Sequence, residues 1–164
     1  MSKEKLIIRI TCGSGVGPTE IASYDAALHD AGISNYNLVQ VSSVIPKNAK
    51  IEVVNEMPNL GPFGNRLWVV QAKTTRRKNE GDAVAGLAWV ESENAGIFYE
   101  SSGGGNEDEV REELIQGIES CKELRKWKFG ETNMEIKCSN KNKNEFVTSV
   151  VIGIYGESES MFRK

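Results

Sequence analysis

The chain of 164 residues is poor in the residues that mark several functional classes. It has a single histidine, His29, which leaves little from which to build an imidazole zinc site, and no metal is expected. Its three cysteines, Cys12, Cys121 and Cys138, are odd in number and lack C-x-x-C spacing. That pattern argues against a disulfide framework and for a reducing, cytoplasmic setting. No apolar run approaches the roughly 20 residues that span a bilayer, so no membrane partner is expected. Arg9 breaks the first apolar run, and a secretory leader is not expected either. Neither charge sign dominates: 20 Lys and Arg stand against 23 Asp and Glu, for a net charge of -3. Such a balance leaves no electrostatic footprint for nucleic acid.

What is present is an ordinary globular composition, 39% hydrophobic and 26% charged, in a chain long enough for one domain spanning 1–164. Leu6 to Cys12 is short and β-branched, which predicts a strand. Gly13-Ser-Gly-Val-Gly17 predicts a turn, with Pro18 at the first position of a helix. Ile21, Tyr24, Leu28 and Ala31 recur at helical spacing, and Gly32 ends that helix. A second strand is predicted from Asn37 to Ile45. Positions 46–64 hold three of the four prolines and read as a long excursion.

Leu67 to Ala72 predicts a strand, and Ala83–Glu91 with Ala95–Glu100 predicts a hairpin. Ser101 to Gly105 reads as a flexible turn. Asn106 is placed to cap a helix with Val110, Leu114, Ile118 and Cys121 on one stripe. Met134–Cys138 and Phe146–Tyr155 predict two more strands, and the tail from Glu157 is expected to fray. The order suggests two similar halves, each with a helix over a sheet, and so an α+β fold with two sheets face to face.

Three features have chemical content. The glycine run between strand and helix resembles a dinucleotide-binding start, but Pro18 occupies the third glycine position of that fingerprint. Glu100 ends a short apolar strand just before a glycine-rich turn, where a partly desolvated carboxylate suits general acid work. Ser42 and Ser43 stand side by side within a β-branched run. If Ser43 Oγ is held against the Ser42 carbonyl, attack converts the peptide to an ester. Elimination then cuts the chain, and loss of ammonia from residue 43 leaves a pyruvoyl group.

Tyr24-Asp-Ala-Ala-Leu28, Asp30-Ala-Gly-Ile33, Asn35-Tyr-Asn-Leu38, Val41-Ser-Ser-Val-Ile-Pro46 and Gly96-Ile-Phe-Tyr-Glu100 occur in that order. Together they resemble the pyruvoyl-dependent arginine decarboxylase family, from about Leu6 to Tyr155. The resemblance implies a four-layer αββα sandwich. It implies cleavage between Ser42 and Ser43 into a β chain, 1–42, and an α chain, 43–164, whose Ser43 becomes the covalent pyruvoyl cofactor. It implies Glu100 as the proton donor, Asn37 beside the cofactor, and Asp25 as the partner of the substrate guanidinium, flanked by Ile21 and Leu28. Carboxylate and guanidinium match in bidentate geometry. The implied substrate is arginine, the product agmatine for polyamine synthesis, and the implied assembly a trimer of αβ units or a hexamer. Two alternatives stay open: a pyruvoyl-dependent decarboxylase of another amino acid, and a non-catalytic oligomeric nucleotide-binding module.

Overall fold

A computed structural model of the chain describes residues 5–162. The elements run β1 (Ile7–Gly17), α1 (Glu20–Asp30), β2 (Asn37–Gln40), β3 (Val44–Ile45), β4 (Lys50–Val53), β5 (Arg66–Arg76), β6 (Ala83–Glu91), β7 (Gly96–Glu100), α2 (Glu107–Glu123), β8 (Asn133–Ser139) and β9 (Phe146–Tyr155). They form a five-stranded sheet in the order β2-β5-β9-β1-β4 and a four-stranded sheet in the order β3-β7-β6-β8.

Three apolar cores separate the layers. Between α1 and the five-stranded sheet lie Ala27, Leu28, Leu67, Val69, Val150 and Ile152. Between the two sheets lie Ile8, Ile10, Val70, Leu87, Trp89, Phe98 and Val151. Between the four-stranded sheet and α2 lie Val84, Ala88, Ile97, Val110, Leu114 and Ile118. The layers therefore run helix, sheet, sheet, helix. Neighbours on one strand serve different cores, as Val150 and Val151 do, because successive side chains point to opposite faces.

The two sheets are not the two halves of the sequence. The C-terminal β9 lies between β5 and β1, antiparallel to both, while β3 leaves the first half to pair with β7. A linear pattern cannot show such an exchange, because pairing across sheets depends on which apolar faces meet.

The glycine run is a correction. Gly13 to Gly17 is not a turn but the second half of β1, paired residue for residue with β9. The glycines are there because α1 lies directly on them. A Cβ on Gly13 would stand 2.0 Å from the Ala27 carbonyl oxygen, and one on Gly15 2.3 Å from the Ala27 nitrogen. Positions 13, 15 and 17 share one face of the strand, the face the helix covers. The run is a helix-docking groove, which removes the cradle the nucleotide-binding alternative needed.

Helix α1 starts at Glu20, not at Pro18. Thr19 is its cap, accepting from the Ala22 N–H at 3.1 Å. It ends as expected at Gly32, whose φ of +83° suits glycine. The Gly32 N–H bonds the His29 carbonyl and the Ile33 N–H bonds the Leu28 carbonyl, each at 3.0 Å, which closes the last turn.

Helix α2 is capped by Asn106, which accepts from the Glu109 N–H at 2.9 Å. Gly117 within it leaves room for the Tyr99 ring, where a Cβ would come within 2.1 Å of the ring.

Three further expectations are corrected. The proline-rich excursion contains β4, which pairs in parallel with β1. The tail is docked as far as Glu159, which exchanges backbone bonds with Arg66 at 2.9 Å and receives its guanidinium. The turn at 101–105 is likewise anchored: Gly86 and Ser101 bond reciprocally, and Gly104 bridges to Val84.

Candidate active site

The predicted strand from Asn37 to Ile45 breaks in two. β2 pairs with β5 in one sheet and β3 pairs with β7 in the other. The chain crosses between the sheets through Val41, Ser42 and Ser43. Packed sheets lie about 10 Å apart, and three extended residues reach about 10 Å, so the crossing is as short as the gap permits. Ser42 and Ser43 therefore lie in the link between two sheets and not within one strand, as the single predicted strand would have had them.

Ser43 takes the last corner with φ of +65°. That left-handed conformation costs a residue with a Cβ on the order of 1 kcal/mol. No glycine or proline signals the break in sequence, which is why the β-branched pattern read as continuous.

Ser43 is gripped on two sides. Its hydroxyl donates to Glu100 Oε1, and its carbonyl accepts the Phe98 N–H at 2.8 Å. The alternation of β7 explains the placement. Ile97 and Tyr99 belong to the α2 core, while Phe98 faces the space between the sheets, and Glu100 shares its side. The register of β7 thus settles which way Glu100 points.

Sequence reasoning missed a third participant. Tyr155, the last residue of β9, donates its hydroxyl to the Val44 carbonyl at 2.9 Å and packs its ring edge-on to Phe98 at 6.2 Å. Burial pushes its phenol well above the ordinary range, and the Glu100 charge adds to the shift, so the hydroxyl keeps its proton. Only the pairing of the sheets reveals it, since Tyr155 lies 111 positions from Val44.

The other predicted residues stand apart from Ser43 within one chain. Asn37 opens β2, and its amide donates to the Gly64 carbonyl at 2.7 Å. Asp25 and Ile21 lie on the outward face of α1, with Ile21 79% exposed. Leu28 is turned down into the core beneath α1 and is 7% exposed. α1 packs on β1, β5 and β9, the face of the sheet turned away from the sandwich interior.

The Cys12 thiol between the sheets is pushed up to about 11 by burial, reinforced by the charge of Glu135. All three cysteines are free. Among the described residues no cluster of His, Cys, Asp or Glu could hold a metal ion, and no helix is long and apolar enough to cross a membrane.

A hydroxyl bonded to a carboxylate, at a strained corner between two sheets, gives the molecule the makings of an enzyme rather than of a nucleotide-binding module. The family model described as pyruvoyl-dependent arginine decarboxylase matches residues 7–160. A pyruvoyl-dependent arginine decarboxylase of Halobacterium salinarum is 43% identical over 156 residues, covering 94% of this chain and 97% of its own length. The enzyme of the same name from Thermococcus sibiricus is 33% identical over 74% of this chain and 77% of its own. That of Methanothermobacter thermautotrophicus is 34% identical over 68% of this chain and 72% of its own. The chain belongs to the pyruvoyl-dependent arginine decarboxylase family, a family of carboxy-lyases that use a covalently bound pyruvoyl group.

Proposed function

We propose that this chain cuts itself between Ser42 and Ser43 and that the resulting αβ unit decarboxylates L-arginine to agmatine and CO2. The observation that carries the reading is Ser43: a left-handed serine at the sheet crossing with its hydroxyl on Glu100.

The strain favours leaving the intact peptide. Attack of Ser43 Oγ on the Ser42 carbonyl carbon forms an ester, with the Ser43 nitrogen becoming an amine. Loss of the Ser43 α-proton and departure of the Ser42 carboxylate cut the chain. Water then replaces the nitrogen of residue 43, releasing ammonia. The Phe98 N–H on the Ser43 carbonyl stabilises the negative charge that gathers there as the α-proton leaves. The surroundings of residue 43 suit the product, since that N–H still has its acceptor after the cut. Once formed, the pyruvoyl ketone supplies an electron sink for the bond to CO2, the task other enzymes give to pyridoxal phosphate.

The remaining steps fall to side chains. Glu100 delivers the proton to the carbon that has lost CO2. Asp25 takes the substrate guanidinium in a bidentate pair, which disfavours a lysine-like amine. Ile21 lies one turn from Asp25 and flanks the aliphatic stem, while Leu28 anchors the helix that carries both. Asn37, whose amide donates to the Gly64 carbonyl in the single chain, serves the residue 43 region in the assembled enzyme. Because α1 and Ser43 lie on different sides of the five-stranded sheet, the site is completed by a neighbouring copy, in a trimer of αβ units or its doubled hexamer. Three free thiols fit a reducing cytoplasm.

An intact mass spectrum under denaturing conditions tests the cut. The expected result is two chains divided at Ser42–Ser43, the larger lighter by one ammonia than a serine-started fragment. Ser43→Ala should remain one chain of about 18.1 kDa without activity. A Ser43→Ala protein that still divides there, or a wild-type chain that stays whole on long incubation, would refute the reading. Release of CO2 from arginine, set against lysine, ornithine and histidine, tests the substrate.

A further inference from the structure

The short strand β3 is held in a way the cleavage chemistry by itself does not require. It has two residues, Val44 and Ile45, and among the described residues it is an edge strand paired only with β7. Its hydrogen bonds to β7 extend one residue further, to the Ser43 carbonyl. Resting on the self-cleavage reading above, the cut makes residue 43 a chain end. Chain ends on two-residue edge strands fray unless tied down.

The second tie comes from the other sheet. Tyr155 spans the gap between the sheets and donates to the Val44 carbonyl at 2.9 Å. Its own position is rigid. The residue pairs with Ile8 in the five-stranded sheet, and its ring rests against Phe98 in the core between the sheets. The segment bearing Ser43 is therefore clamped at two successive carbonyls: Ser43 by the Phe98 N–H and Val44 by the Tyr155 hydroxyl. Removing either lets residue 43 turn away from Glu100.

We propose that Tyr155 is a positioning residue for both the self-cleavage and the decarboxylation, acting through Val44 to hold residue 43 against Glu100. It does not touch the reacting atoms. The high ionisation range of its phenol supports the role, because the hydroxyl stays a donor at any working pH.

Tyr155→Phe keeps the ring and removes one hydrogen bond. A matched control is Tyr36→Phe, which removes the hydroxyl bond to the Gly61 carbonyl at 2.8 Å, away from Ser43. Cleavage is followed by intact mass on freshly purified wild-type and variant proteins. Decarboxylation of arginine is then measured on the fully divided fraction. One hydrogen bond in a positioning role is worth about a 5- to 10-fold change.

The expected result is a 5- to 10-fold slower cut in Tyr155→Phe, a fall in kcat of similar size with KM nearly unchanged, and faster amide exchange in the peptide starting at residue 43. Tyr36→Phe should match wild type in all three. Tyr155→Phe cutting and turning over at wild-type rates would overturn the proposal, as would equal slowing in Tyr36→Phe. A wild-type chain that never divides would refute the cleavage reading itself, which is a different result from these.

Discussion

Replacing Gly13 by alanine puts a methyl group where the backbone of α1 already is. The new Cβ would stand 2.0 Å from the Ala27 carbonyl oxygen, 2.9 Å from the Ala31 nitrogen and 3.0 Å from the Ala31 Cβ. Ordinary contact begins at 3.4 Å, so the helix must retreat by about 1.4 Å at Ala27. The obstacle is backbone, which cannot swing aside as a side chain would. Overpacking of this kind costs about 1–3 kcal/mol. The stiffer unfolded chain of alanine returns about 0.4–1 kcal/mol, leaving a net loss. For a chain of this length 1 kcal/mol shifts Tm by about 2–4 °C, so a fall of several degrees is expected.

The assay is denaturation at fixed protein concentration, with Gly105→Ala as control, since a Cβ there meets nothing within 4 Å. The same retreat carries Asp25 with the helix, so KM for arginine should rise more than kcat falls. A Gly13→Ala protein as stable as the Gly105→Ala control would refute the docking-groove account of the glycine run. Loss of nucleotide affinity at unchanged stability would restore the phosphate-cradle reading in its place.

Glu100→Gln keeps an acceptor for the Ser43 hydroxyl but cannot deliver a proton. It should therefore divide into two chains and release CO2 at least about 100-fold more slowly, the lower end of what a general acid contributes. Failure to divide, seen by intact mass, would mean that the charge and not the acceptor serves the cut. The Cys12 thiol, pushed from 9.0 up to about 11, should react with iodoacetamide at pH 8 about 100-fold more slowly than an ordinary thiol, because only the thiolate attacks. Equal labelling of Cys12 and the exposed Cys138, read by peptide mapping, would contradict its burial between the sheets. The sign for stability is the same: the folded state holds this proton longer than the unfolded one, so stability is full below pH 9 and declines as pH rises through about 11. Cys12→Ala should flatten that alkaline decline.

Local signals in the sequence determined the two helices and most of the strands. Asn106 three residues before Glu109, and Gly32 after the α1 stripe, announce their helix ends because capping is settled by a few neighbouring residues. The apolar runs of β6 and β9 announce strands buried on both faces. The motifs around Asp25, Ser43 and Glu100 were enough to suggest the family and the chemistry.

What lay beyond the sequence were the relations between distant segments. Gly13 to Gly17 read as a turn because glycine favours turns, whereas its purpose depends on a helix lying on that face. The break at Ser43 was invisible because Val41 to Ile45 keeps one β-branched character while its two ends join different sheets. Glu100 could have faced either side until the register of β7 against β6 placed it on the side of Phe98. Tyr155 carried no signal at all, since its contact with Val44 exists only when β9 crosses into the first sheet. Short-range chemistry is written in neighbouring residues. The meeting of Ser43, Glu100 and Tyr155 is decided by which apolar faces bury one another, and that choice is made only in three dimensions.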